Sequence, residues 1–213
     1  MIPAANLFAF GLASIPLIII PGPSVLFTIG RSLSLGRVGG LLSVVGNAMG
    51  ALVISVAIAF GLGALLEESV VVFTVVKFLG AAYIIFLGIQ AIRHRRQKAD
   101  AVIAPAARHG AWRTAWDGFV VGVTNVKTII FLVAVLPLFV DHKSGGIPIQ
   151  IMLLGVVFVI VALVSDSVWA LAAGAARDWF AQSPKRIAAL GATGGAMMIG
   201  LGAAVLFVGH EPA

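Results

Sequence analysis

Three ionisable side chains fall inside long apolar runs of this chain: Lys77, Lys127 and Asp166. A charged group at the middle of a membrane helix costs at least about 2.5–3.5 kcal/mol, so each is a candidate for function before anything else. Lys127 lies about 13 residues, or roughly 20 Å, into its segment. Asp166 lies about 9 residues, or roughly 14 Å, from the end of its own. Those depths let both face one cavity. Lys77 sits nearer a segment end, where a long side chain can snorkel to the interface. A positive and a negative pole in one desolvated pocket can hold a small ligand by its charged ends. The same two groups can also neutralise each other as a structural pair, and the residues alone leave both readings open.

A second kind of chemistry comes from the backbone. Pro21 and Pro23 lack N–H groups, and Gly22 between them is a poor helix former. A helix interrupted there exposes free carbonyls on one side and free N–H groups on the other. At membrane depth such groups are tolerated only when buried in protein or lining a wet cavity. The N–H groups of a half-helix beginning near Ser24, together with Lys127, can take a carboxylate. Asp166 can take an ammonium or hold a coupling proton. Asn47 and Asn125 can orient either group, and Tyr83 is a candidate for the lining of the pathway.

The elements that must position these residues follow from composition. The chain has 213 residues, 61% hydrophobic and 10% charged, with a mean hydropathy of +1.12. Soluble chains carry roughly a quarter of their residues as Asp, Glu, Lys and Arg, so the bilayer is the expected solvent. The net charge of +6 does not point to nucleic acid, because the basic residues are bunched between apolar runs. With no cysteine, disulfides and thiolate metal sites are excluded. Six apolar segments stand out at about 4–30, 39–65, 70–92, 114–140, 147–175 and 187–209, each long enough to span. The first is not read as a cleaved signal peptide, since no Lys or Arg precedes Arg31. The expected fold is an all-α integral membrane protein and a single transmembrane domain over 1–213.

Eleven Lys and Arg residues fall on one side (Arg31 and Arg37; Arg93, Arg95, Arg96, Lys98, Arg108 and Arg113; Arg177, Lys185 and Arg186) against Lys143 alone on the other. That asymmetry places the three basic loops, including the connector Arg31 to Gly39, in the cytoplasm and both termini outside. Trp112, Trp116 and Trp179 then fall at the cytoplasmic boundary as interface anchors. With six spans, residues 1–93 and 114–213 form two three-helix halves of opposite orientation, joined by the basic loop 94–113. Pro21 to Phe27 aligns weakly with Asn125 to Phe131. Broken helices at matching positions of inverted halves point to a transporter's substrate site. Glycine pairs at small-xxx-small spacing, Gly46/Gly50, Gly118/Gly122 and Gly191/Gly195, mark close helix contacts, within the chain or in a homo-oligomer.

Pro21-Gly22-Pro23, the run from Lys77 through Gly80, Tyr83 and Leu87-Gly88, and Asn125-Val126-Lys127 followed by Phe131 and Leu136-Pro137 together resemble the LysE/RhtB family of bacterial amino-acid exporters. The resemblance spans the chain. It implies export of an amino acid or derivative across the inner membrane, driven by the proton gradient, with no cofactor. The family pattern is Asn-Pro-Lys where this chain has Val126, so a softer second break is expected. A single intramembrane acid leans toward neutral substrates. The rival reading, a metal or inorganic-ion exporter, calls for clusters of acids or histidines at mid-membrane. An intramembrane enzyme would need a nucleophile and base, and His94, His109, His142 and His210 all fall in loops or at the terminus.

Overall fold

Inside lipid, a segment must satisfy its own backbone N–H and C=O groups, and the helix does so without a partner strand. The computed structural model describes residues 2–66, 70–97, 110–176, 179 and 183–207, and shows no β-strand among them. The acidic pair Glu67-Glu68, and Lys98, Arg108, His109, Arg177 and His210, lie outside the described residues. The helices are α1 Ala4–Ile19, α2 Pro23–Leu66, α3 Val70–Arg93 and α4 Ala111–Val123. After them come α5 Val126–Val135, continued by a 3-10 turn at Leu136–Phe139, then α6 Ile147–Ala175 and α7 Pro184–Phe207. Pro23–Gly61 and Ile147–Ala175 are long and apolar enough to cross a membrane, and Ala111–Val123 with Val126–Phe139, bent by 45°, makes a third such stretch if counted as one span.

The helix α2 is interrupted at Gly36, with φ 77° and ψ −177°. In an unbroken helix, residues 32 and 40 stand about 12 Å apart. Here a methyl group on Gly40 would run into the Ser32 hydroxyl, so the chain folds back on itself at Gly36. Only glycine takes that left-handed conformation without strain. The connector expected at Arg31 to Gly39 is therefore shorter than its polarity implied: helix continues on both sides of a one-residue turn.

The second half of α2 then runs alongside α4 in the same direction, Ser43 against Gly118 and Asn47 against Gly122. Gly46 and Gly50 return the contact against Ala115, Phe119 and Gly122. These glycines let two backbones touch, so both pairs serve an interface within the chain. Gly195 does the same against Gly88 of α3. Phe10, Phe131 and Phe158 tie α1, α5 and α6 together, with ring centroids 6.4 and 5.9 Å apart. Near one end, Gln150 accepts from the Asp141 N–H and donates to the carbonyls of Asp141 and Gly145. The Ser144 hydroxyl and the Lys143 N–H hold the Asp141 carboxyl below its usual range.

Polarity is distributed as lipid demands. Phe8, Phe60 and Leu79 are 66–70% exposed, whereas Asn47, Asn125, Lys127 and Asp166 are at most 7% exposed. Trp112, Trp116 and Trp179 are exposed, as interface anchors require.

Candidate functional site

The site grows from the first break. An α-helix bonds each N–H to the carbonyl four residues earlier. Pro21 has no N–H to give the Leu17 carbonyl, so that oxygen is orphaned by sequence alone. Lys127 supplies the missing donor: its Nζ donates to Leu17 O at 3.0 Å and to Ile20 O at 3.1 Å. The ammonium thus sits at the negative end of the α1 dipole. Gly22 makes room for it, since a methyl group there would lie 2.9 Å from Nζ. Helix resumes at Pro23, with Gly22 O accepting from Leu26 N at 2.9 Å.

The second break separates α4 from α5 at Thr124 and Asn125. It is shorter than the first by one residue and still bends the chain by 45°. Asn125 is extended (φ −73°, ψ 90°), and its carbonyl accepts from Ile129 N at 3.0 Å, as Gly22 does for Leu26. Its side chain reaches across to the first break, Nδ2 donating to Ser24 Oγ at 3.1 Å. The two interruptions meet.

Asp166, one-third of α6 from its end, accepts from Asn47 Nδ2 at 3.0 Å. Lys127 and Asp166 line one cavity of about 20 Å³ together with Asn47, Ser24 and Thr128, against apolar walls that include Leu17, Ala51 and Phe158. No ion pair joins them: the ion pairs among the described residues are Arg31–Asp117 and Arg113–Asp117. Lys127 is engaged by carbonyls and Asp166 by an amide. The Oδ1 atoms of Asn47 and Asn125 are buried with no protein hydrogen-bond donor. Buried acceptors of that kind are uncommon. The cavity therefore presents one cation, one anion and an unused amide oxygen, in room for about one water.

The structure thus gathers Gly22, Ser24, Asn47, Asn125, Lys127 and Asp166. Pro21 is buried against Gly194 of α7, and Pro23 is exposed at the start of α2; both shape the break without lining the cavity. Tyr83 is placed elsewhere: it is 37% exposed and packs beside Phe86 at 5.7 Å. Thr128 was not among the residues expected from sequence, though its place beside Lys127 was a usable signal. That the Leu17 carbonyl lacks a donor follows from Pro21 in the sequence; that Lys127 reaches it does not. No group of three or more acids or histidines that could hold a metal ion occurs among the described residues.

With this geometry in hand, comparison with known proteins is informative. A profile of the LysE type translocator family matches residues 15–209. An uncharacterized membrane protein of Vibrio cholerae is 32% identical over 197 residues, covering 91% of this chain and 93% of its own. The homoserine/homoserine lactone efflux protein of Salmonella typhimurium is 30% identical over 203 residues, covering 95% and 97% respectively. No solved structure matches.

Proposed function

This chain belongs to the LysE-type translocator family, and we propose that it exports an amino acid or close derivative across the cytoplasmic membrane. One observation carries the reading: a buried lysine and a buried aspartate line one cavity where two broken helices meet, without pairing to each other. Asp166 and the free Asn47 oxygen receive the substrate's ammonium. Lys127 receives its carboxylate, leaving the carbonyls of Leu17 and Ile20 as it turns. The cavity is too small for any amino acid as it stands, so substrate enters only when the helices part, in keeping with alternating access.

Six spans form two inverted three-helix halves of one domain, with the basic loops in the cytoplasm and both termini outside. The paired breaks, each closing on a carbonyl at Gly22 and Asn125, support that pseudo-symmetry. The proton gradient drives export, and Asp166 carries the proton in alternation with substrate. The homoserine/homoserine lactone efflux relative makes homoserine and its lactone the first substrates to try. They also separate the two poles. A lactone has no carboxylate, so Lys127→Met is expected to slow homoserine export several-fold more than lactone export. Equal losses would remove Lys127 from substrate recognition.

The test loads cells with dipeptides, releases amino acids inside, and records efflux with and without this protein. Faster efflux of homoserine or another small neutral amino acid is expected. If no amino acid leaves faster, the exporter reading fails.

A further inference from the structure

Serine and threonine in helices commonly donate their hydroxyl to the carbonyl four residues earlier. Seven described hydroxyls here do so: Ser14, Ser34, Ser43, Ser55, Thr114, Thr124 and Ser167. Thr28 and Ser32 depart from that habit. Both are 0% exposed, yet their hydroxyl oxygens have no protein partner. They follow Ser24 at four-residue steps, so the three hydroxyls share one face of the first half of α2, about 6 Å apart along its axis. The row begins in the cavity at Ser24 and ends at Ser32, one turn before the reversal at Gly36. The facing residues are small: Gly40 abuts Ser32, and Ala170 lies beside Gly40.

An ion pair closes the same end. Arg31, adjacent to Ser32, donates to Asp117 of α4 at 2.7 Å, and Arg113 reaches that carboxylate at 3.2 Å. The Arg31 guanidinium also lies over the Phe27 ring, 5.0 Å from its centroid. This cluster straps the hydroxyl-bearing half-helix to α4. We propose that Thr28 and Ser32 line the route between the substrate cavity and the basic face, and that the Arg31–Asp117 pair latches that route shut. The route rests on the exporter reading. When the half-helix swings from α4, the two hydroxyls bond water and the polar ends of a passing amino acid. In the closed state they wait unpaired.

The chain contains no cysteine, so introduced thiols report without background. Thr28→Cys and Ser32→Cys, in membrane vesicles of both orientations, are treated with a membrane-impermeant charged methanethiosulfonate. Arg37→Cys, at an exposed position, marks which side carries the basic face. Ser14→Cys, equally buried but at a hydroxyl bonded to the Phe10 carbonyl, is the unreactive control. Labelling of positions 28 and 32 from the Arg37 side is expected, accelerated about fivefold by Arg31→Gln, as loss of a partly exposed ion pair allows. Labelling only from the opposite side, or no more than at Ser14→Cys, overturns the route. If a cysteine variant is not recovered in membranes, Thr28→Val and Ser32→Ala replace it. Slower efflux than the parent is then expected, and parental efflux overturns the route. Absence of efflux by the parent chain, with labelling as expected, would overturn the exporter reading and leave the route standing.

Discussion

At the scale of single residues, the interior is organised by a donor that Pro21 lacks and Lys127 replaces. Removing that amine leaves Leu17 and Ile20 carbonyls buried without a partner, a loss of about 1–3 kcal/mol. Lys127→Met is therefore expected to lower the melting temperature of the detergent-solubilised protein by several degrees; an unchanged value would show that the carbonyls find another donor. Gly22→Ala acts more gently. Its methyl group would fall 2.9 Å from Nζ, at the flexible tip of the lysine, so export is expected to fall while the melting temperature holds within a degree or two. A large drop in stability instead would mean that the backbone cannot take alanine. Much of this site was legible in the sequence. Charge deep in an apolar run flagged Lys127 and Asp166, and Pro-Gly-Pro flagged the break. What was hidden was the pairing: hydropathy gives depth but not direction, so Lys127 seeking carbonyls, and Tyr83 facing away from the cavity, emerge only once the helices are packed.

Helices show the same division. Apolar length pointed to the helices, of which two among the described residues, or three with the bent pair, are long and apolar enough to cross a membrane. The exact reversal at Gly36 was not legible, since Gly30, Gly36, Gly39 and Gly40 are equally permissive in sequence and only packing selects one. Gly36→Ala is expected to cost roughly 1–3 kcal/mol through its positive φ with extended ψ, read as a lower melting temperature in detergent; no change would show that the turn relaxes to an ordinary conformation. Gly122→Ala presses a methyl group into the backbone of Asn47, and overpacking of that kind costs about 1–3 kcal/mol. It is expected to destabilise by several degrees, whereas Gly61→Ala, which meets open space, is expected to be neutral. Equal behaviour of the two would remove the close contact between the second half of α2 and α4.

For the whole molecule, the consequence is an apolar surface around an apolar interior that buries a few polar groups, strapped at one end by Arg31 and Asp117 and closed around a cavity of about 20 Å³. Both charged groups of the cavity are already engaged within the protein, lysine by carbonyls and aspartate by an amide. On the proposed function, substrate binding would exchange those partners and so tie occupancy of the site to the position of α1 and the half-helix after it. The direct test is substrate counterflow in proteoliposomes, comparing the parent with Asp166→Asn at matched incorporation and melting temperature. Loss of one charge-assisted hydrogen bond predicts about a ten- to hundredfold fall in counterflow at limiting substrate. Counterflow at the parental rate, from a variant whose buried carboxylate is gone, would contradict the claim that Asp166 holds the substrate's ammonium.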